Sequence, residues 1–236
     1  MKICIQTGIE GIAGFCSFES RKDTSFENFH HRQRMRRLLT NEVNAAVKSA
    51  FEEGTDEVIV NDKHGSGYDI PFEDFDPRCW VIHGHNGSCQ EWLSLLEGSD
   101  AMLLVGMHAI GGTPVSITWH SLWKANDDGA LFLSECTMAA ALAGDFGIPT
   151  VSVSGDDKNT AELKEKIPAI ETLAVKQALS PYMACAMIPA RSCEPIPKVI
   201  RSALRRQNQI APYVVSGPVS LTLLDVPCQQ RVLKDF

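Results

Sequence analysis

Apolar and polar positions along the chain follow two alternating patterns. Short apolar runs predict buried strands at residues 2–7, 57–61, 79–82, 100–106, 150–154, 172–176 and 218–224. Between these runs, apolar residues spaced three and four apart predict helices at residues 34–53, 90–96, 134–146, 157–166 and 196–207. This alternation is typical of an α/β fold in which helices flank a largely parallel sheet.

The last part of the chain departs from this regular alternation. With 236 residues, of which 44% are hydrophobic, the chain is long enough to bury one sizeable core, alone or with a small appended lobe. We expect residues 1–190 to form the α/β domain that carries the functional site, and residues 191–236 to form a small C-terminal α+β lobe. No low-complexity linker separates the two parts, so this boundary is a soft one.

The charge of the chain argues against several classes of partner. The net charge is −7, and the short basic run at residues 31–37 is interpreted as a solvated helix face. We therefore expect no nucleic-acid partner.

No apolar run reaches the roughly 18 residues that a membrane span needs, and the N-terminus lacks a signal-peptide pattern. These features predict a cytoplasmic protein with no membrane partner.

Sequence motifs for several other kinds of chemistry are absent. The eight cysteines are scattered and form no C-x-x-C pair, so we interpret them as reduced thiols that pack as small hydrophobic residues. No G-x-G-x-x-G or P-loop pattern supports nucleotide binding. No G-x-S-x-G pattern supports a serine hydrolase either.

Polar residues that suit metal chemistry follow the predicted strands. In open α/β sheets, ligands bind beyond the carboxyl ends of the strands. Five of the seven histidines lie at or just past such ends, together with two glutamates, and the full set is Glu10, His64, His83, His85, His108, His120 and Glu135. Imidazole and carboxylate are the ligands that suit zinc and related divalent ions. Any one of these histidines alone is compatible with an ordinary loop residue, so the interpretation depends on their joint placement.

Apart from His83 and His85, which are not part of the family pattern, these residues and their neighbours resemble the D-aminopeptidase (DppA-type) zinc peptidases of family M55. The similarity covers about residues 1–190, and the segments that carry it are residues 1–3, 10–14, 40–44, 57–64, 106–109, 113–114, 120–121, 135, 153–157 and 174–177. The resemblance implies a hydrolase that uses zinc, or another divalent ion, to release N-terminal D-amino acids from short peptides. It also implies an α/β fold with two zinc ions, and a ring-shaped homo-oligomer that is often a decamer.

The resemblance also assigns roles to particular residues. Glu10, His64, His108 and Glu135 match the zinc ligands of the family, and His120 matches its proposed catalytic histidine. A histidine with an ordinary pKa of about 6.5 suits proton transfer, or stabilisation of a developing oxyanion.

One position departs from the family pattern. The family has Asp-x-Glu-Gly near the N-terminus, with an aspartate that bridges two metal ions, whereas this chain has Gly8 at that place. Without the bridging carboxylate, repulsion between two dications is poorly compensated. The site then holds one ion, on His64, His108 and Glu135, or it recruits a substitute ligand or substrate-binding group. The candidates for that role are His83, His85, Asp62 and Cys136.

Two further alternatives follow from the same glycine. The chain is either a hydrolase that acts on another C–N bond, such as an amide or lactam, or a binding or assembly protein that has lost peptidase activity.

Overall fold

The computed structural model of the chain describes residues 1–17, 23–63, 65, 67–84, 96–126 and 131–225. Except for Leu96, the predicted helix at residues 90–96 lies outside these described residues. Two of the histidines singled out by the sequence, His64 and His85, lie outside them as well.

The described residues form strands and helices that alternate over most of the chain. The strands are β1 (Lys2–Thr7), β2 (Glu57–Asn61), β3 (Trp80–Ile82), β4 (Ala101–Met107), β5 (Ser121–Ala125), β6 (Leu131–Leu133), β7 (Thr150–Asp156), β8 (Glu171–Ser180), β9 (Met183–Ala186) and β10 (Leu221–Asp225). The helices are α1 (Phe26–Glu52), α2 (Glu135–Asp145), α3 (Asp157–Lys166), α4 (Pro189–Ser192) and α5 (Ile196–Arg205). No helix within the described ranges has both the length and the apolar character that crossing a membrane requires.

Seven of the strands form a central sheet in the order β3-β2-β1-β4-β7-β8-β9. Neighbouring strands are parallel except β8 and β9, which pair antiparallel. The remaining strands form an antiparallel sheet in the order β10-β5-β6. Strand β4 is buried along its whole length, as its continuous apolar sequence predicts for a strand covered on both faces. The predicted α/β fold with a largely parallel sheet is confirmed.

Some elements differ from the prediction for identifiable reasons. Helix α1 begins at Phe26, well before the predicted start at Arg34, because the Ser25 hydroxyl caps it by accepting the Asn28 backbone N–H at 3.2 Å. Its first turns are largely exposed, so they lack the apolar spacing that marks the rest of the helix. Strands β5, β6 and β9 were not predicted, because backbone pairing with other segments, such as β5 with β10, defines them.

The C-terminal elements contact the rest of the chain. Helix α5 packs against α1, and Ile196 and Ile200 of α5 belong to the same hydrophobic cluster as Ile3 of β1 and Leu103 of β4. Strand β10 pairs with β5. The division into a domain of residues 1–190 and a lobe of residues 191–236 stays a prediction.

A close backbone contact joins the loop after β1 to the end of β4. The Gly11 N–H donates to the Gly106 carbonyl at 2.9 Å, and a Cβ at Gly11 would lie 2.0 Å from the Met107 carbonyl oxygen. Gly106 itself has a φ of +74°, in the left-handed region that favours glycine. Glycines at these two positions therefore allow the loop after β1 to lie directly on the end of β4.

This contact generates a stability prediction. We expect Gly11→Ala to lower the free energy of unfolding by about 3 kcal/mol, the upper end of the usual cost of overpacking, because backbone atoms must move. Urea unfolding followed by circular dichroism measures the change.

Gly98→Ala is the matched control. Gly98 has a φ of +76° but no heavy atom within 4 Å of an added Cβ, so only the backbone conformation is penalised. We expect this variant to lose about 1 kcal/mol. Equal losses in the two variants would show that Gly11 is not held by close packing.

Candidate metal centre

Two histidines and a glutamate from separate elements meet beyond the carboxyl end of β4. His108 Nε2 lies 3.6 Å from Glu135 Oε2, and His120 Nε2 lies 3.5 Å from Glu135 Oε1. The two imidazole ring centres are 4.3 Å apart. One ligand atom from each of the three residues falls within 4.8 Å of the others, as a metal site requires.

A contact between Nδ1 and a nearby backbone carbonyl orients each imidazole so that its Nε2 faces Glu135. His108 follows β4 directly, and its Nδ1 lies 2.8 Å from the Ala109 carbonyl oxygen. His120 precedes β5, and its Nδ1 lies 3.1 Å from the Thr118 carbonyl oxygen. Because a carbonyl oxygen only accepts hydrogen bonds, Nδ1 carries the proton in both rings. In the neutral rings Nε2 is then the nitrogen with a lone pair available to a cation.

Glu135 is placed by the start of helix α2. Ser134 caps this helix, with its hydroxyl accepting the Thr137 backbone N–H at 3.1 Å, and Glu135 is the first helical residue. The Ser121 hydroxyl donates a hydrogen bond to Glu135 Oε1. The helix start and the neighbouring β5 residue together hold the carboxylate between the two imidazoles.

Glu10 lies near this group on the loop that follows β1. It is buried, and its Oε2 accepts the Ile9 backbone N–H at 3.1 Å. Its charge acts on both His108 and Glu135, raising the pKa of each. Glu10 is therefore close enough to contribute to the electrostatics of the site, although it is not one of the three residues within 4.8 Å of one another.

The charges of His108 and Glu135 strongly affect each other. Burial alone would lower the pKa of His108, but the Glu135 carboxylate, helped by Glu10, outweighs it and raises that pKa to about 10. Burial alone would raise the pKa of Glu135, but the positive charge of His108, helped by His120, lowers it to about 2. In the absence of a metal ion, the pair is an imidazolium and a carboxylate at neutral pH.

The geometry and chemistry of this group fit a zinc ion. Zinc binds imidazole nitrogen and carboxylate oxygen at about 2.0–2.2 Å in a tetrahedral arrangement, so two of its ligand atoms are about 3.4 Å apart. The observed separations of 3.5 and 3.6 Å between the two Nε2 atoms and the carboxylate oxygens are close to that value.

Two other residues singled out by the sequence are not members of this group. Asp62 is buried, and its Oδ2 accepts the backbone N–H groups of Asp69 and Ile70 at 2.7 and 3.1 Å, which orders the loop after β2. The exposed His83 ring packs edge-on against Tyr68 and Phe72. The structure does not bring Asp62 or His83 into the group of His108, His120 and Glu135.

Further residues support the site and were not predicted from the sequence. Asn159 Nδ2 donates to the His108 carbonyl at 2.9 Å, and Glu162 Oε2 accepts the Ile110 N–H at 2.9 Å. Both side chains project from α3 towards the segment that carries His108. In sequence they are ordinary polar residues of a short helix, so no local signal marks them.

Comparison with known proteins places the chain in a family. The model of the M55 peptidases, described as D-aminopeptidase, matches residues 1–229. The chain belongs to the M55 family of D-aminopeptidases. The match continues past residue 190, where the sequence resemblance was expected to fade, and the predicted family membership is confirmed.

Two M55 relatives show how far the similarity extends. A D-aminopeptidase from Bacillus subtilis (strain 168) is 29% identical over 222 residues, which make up 90% of this chain and 77% of that protein. The solved structure of the zinc-dependent D-aminopeptidase DppA from Bacillus subtilis, described as a self-compartmentalizing protease, has a TM-score of 0.82. The two sequences are 27% identical, and the aligned region covers 94% of this chain and 81% of the DppA chain.

The raised pKa of His108 predicts how the stability of the zinc-free protein depends on pH. At a pH below the ordinary histidine pKa of 6.5, His108 is positively charged in both the folded and the unfolded chain. At a pH between 6.5 and the raised pKa of about 10, His108 is mainly charged in the folded chain and mainly neutral in the unfolded chain. The free energy of unfolding should therefore fall as the pH rises through this interval, by at most about 1.4 kcal/mol per pH unit. Urea unfolding of zinc-free protein across the interval measures this slope.

Glu135→Gln tests the cause of this slope. The variant removes the carboxylate charge that raises the pKa of His108, so we expect a clearly shallower fall in stability over the same interval. Glu165→Gln, at an exposed glutamate of α3, is the control and should keep the wild-type slope. A wild-type slope in Glu135→Gln would contradict the proposed pairing.

Proposed function

We propose that this protein is a zinc-dependent D-aminopeptidase that hydrolyses small peptide or amide substrates. The observation that carries the proposal is the meeting of His108, His120 and Glu135, with both Nε2 atoms facing one carboxylate. The fit of this group to zinc and membership of the M55 family support the same conclusion. The zinc-dependent DppA structure supports it as well. These findings favour a hydrolase over a binding or assembly protein.

We assign the zinc ligands and the catalytic residue from both geometry and family resemblance. His108 and Glu135 are the ligands on which the two agree, and Glu10 and His64 are added by resemblance. His120 belongs to the same group, but it matches the proposed catalytic histidine of the family, so we assign its Nε2 to proton transfer beside the ion and not to the ligand set. The His108 side chain is 1% exposed and the His120 side chain is 37% exposed, so a substrate can reach His120 more easily.

The residues of this chain divide the reaction between them. A bound zinc ion would supply a water molecule of lowered pKa and would polarise the scissile carbonyl. His120 holds its proton at Nδ1 against the Thr118 carbonyl, which leaves Nε2 to take up a proton from the attacking water and deliver it to the departing amine. Glu135, fixed by Ser121, stabilises the positive charge that His120 gains in doing so.

The free amino group of a substrate needs an anionic partner. Glu10 is buried on the loop beside the His108 and Glu135 pair, and its charge reaches both. If zinc leaves its carboxylate unused, Glu10 is the candidate for this anionic partner. Recognition of the amino terminus by an acid close to the scissile bond would restrict the enzyme to N-terminal residues.

We also propose that the site holds one zinc ion. An added Cβ at Gly8 would lie 2.8 Å from the Gly106 carbonyl oxygen and 3.5 Å from Glu10 Oε2. A carboxylate at this position would therefore need a backbone shift as well as compensation for a nearby negative charge. No second cluster of ligands of this kind occurs among the described residues.

The assembly and location of the protein are further parts of the proposal. Since DppA is described as self-compartmentalizing, we propose a homo-oligomer in the form of a ring, with the decamer of the family as the specific expectation. We propose the cytoplasm as its location. Cys4, Cys16, Cys79, Cys136, Cys185 and Cys193 are free thiols, as expected in a reducing compartment.

The first test is zinc content together with turnover of D-alanine p-nitroanilide, compared with the L-isomer. We expect Glu135→Gln to lose bound zinc and to reduce kcat/KM by about 100-fold or more, because a ligand is removed. We expect His120→Gln to keep zinc but to lower kcat by about 10²- to 10⁴-fold, the usual contribution of a general acid–base group.

Glu165→Gln serves again as the control and should keep both properties. Purified wild-type protein that neither binds metal nor turns over the substrate, even with added zinc or manganese, would refute the proposal. Loss of zinc in His120→Gln would instead reassign His120 as a ligand.

Gly8→Asp tests the number of zinc ions, with Gly8→Ala as the control for crowding against Gly106. We expect one zinc per chain in the wild type and in Gly8→Ala, and more than one in Gly8→Asp, as metal analysis of dialysed protein will show. Two ions in the wild type would contradict the one-ion assignment. A gain of turnover in Gly8→Asp indicates a weakened peptidase, whereas loss of turnover indicates a hydrolase respecialised towards another C–N bond.

A further inference from the structure

The loop that carries Glu10 is irregular and buried. Residues 8–15 lie in neither a helix nor a strand, and apart from Gly14 they are all buried. Buried backbone groups need hydrogen-bond partners, and a loop without regular structure does not supply them to itself. The position of Glu10 therefore depends on the groups that satisfy this backbone.

Lys176 of β8 supplies donors to three carbonyl groups of this loop. Its ammonium nitrogen Nζ donates to the Glu10 carbonyl, to the Ile12 carbonyl at 3.0 Å and to the Phe15 carbonyl at 2.7 Å. An ammonium group has three N–H donors, so these contacts use all of them. The Lys176 residue is 3% exposed, which keeps the contacts out of competition with water.

Glu42 of α1 supplies an acceptor to the same loop from another element. Its Oε1 accepts the Ala13 backbone N–H at 3.0 Å and the Ser192 hydroxyl at 2.8 Å. Glu42 is 1% exposed, and its charge acts favourably on the ammonium of Lys176. The buried acid Glu42 therefore holds the loop at Ala13, and the buried base Lys176 holds it at carbonyl groups before and after Ala13.

This arrangement explains why a charged lysine occupies a buried position. Burying an ammonium group is costly unless it is paired and fully hydrogen-bonded. Here the hydrogen bonds of Lys176 converge on the loop of Glu10, and one of them goes to Glu10 itself. The contacts fix the backbone of the residue whose carboxyl group lies beside His108 and Glu135.

We propose that Lys176, assisted by Glu42, is a positioning residue that fixes the Glu10 loop against the His108 and Glu135 pair. Lys176 acts on the backbone of Glu10 and touches no reacting atom, so it is not a catalytic residue. The link from this loop to zinc binding and turnover rests on the function proposed above. The ordering of the loop by Lys176 is independent of that function.

The test compares Lys176→Met with Lys164→Met. Methionine keeps most of the length of lysine without its donors. Lys164 also donates to a backbone carbonyl, that of Ile170 at 2.7 Å, but at an exposed position on α3. Hydrogen exchange of zinc-free protein is measured first, because it needs neither metal nor substrate. We expect the amides of residues 9–15 to exchange about tenfold faster or more in Lys176→Met, with the amides of β4 unchanged.

Zinc affinity and steady-state kinetics are then measured on the same proteins. We expect Lys176→Met to weaken zinc binding by about 10- to 100-fold in a competition titration with a chelator, the usual effect of losing a group that orients a ligand. With zinc in excess, kcat should fall more than KM rises. Lys176→Arg keeps a positive charge and donors, and it should recover part of both losses. Lys164→Met should match the wild type throughout.

The outcomes separate the two proposals. Unchanged exchange at residues 9–15 in Lys176→Met overturns the positioning role, and so does faster exchange with wild-type zinc affinity. Absence of zinc binding and turnover in the wild type refutes the proposed function, while the exchange result still decides whether Lys176 orders the loop. If Lys176→Met does not fold, Glu42→Ala, which removes the acceptor of the Ala13 N–H, is judged by the same exchange and affinity criteria.

Discussion

The site depends on the backbone contact between the loop after β1 and the end of β4. Because β1 and β4 are parallel neighbours, with Ile5 paired to Leu103, both strands end at the same edge of the sheet. The Gly8 N–H donates to the Val105 carbonyl at 2.9 Å, and the Gly11 N–H donates to the Gly106 carbonyl at 2.9 Å. These two hydrogen bonds leave no room for side chains at the contact, and they carry Glu10 to the vicinity of His108.

Once these elements meet, electrostatics governs what the site can do. Glu10 and Glu135 are acids brought close to one buried imidazole, and the charge of Glu10 opposes the ionisation of Glu135. In the metal-free protein, a proton on His108 partly balances the two carboxylates. A dication in the same place provides more positive charge and releases the proton, which is why such a group binds zinc more readily as the pH rises. The charges that hold His108 and Glu135 together in the metal-free protein therefore also favour the binding of a cation.

The residues that hold the site come from most of the fold. Glu42 lies on α1 and Lys176 on β8, and both act on the loop after β1. Asn159 of α3 holds the carbonyl of His108, and Ser121 of β5 holds the carboxylate of Glu135. A site assembled in this way is sensitive to the relative positions of many elements. This is consistent with a family model that matches nearly the whole chain rather than a short motif.

The sequence by itself determined the class of fold and the kind of chemistry. Alternating apolar runs and helical spacings predict the parallel sheet, and the residue types at the ends of β1 and β4 indicate metal chemistry before any contact is known. The pairing of His108 and Glu135 follows from family resemblance and from strand-end placement. Tertiary structure alone decided that His120 faces the same carboxylate, that His83 and Asp62 do not join the group, and that β5 pairs with β10. It also placed Lys176 against a loop more than 160 residues away in the chain. The physical reason is that apolar periodicity records which face of an element is buried, whereas a hydrogen bond between distant polar groups depends on how whole elements are stacked.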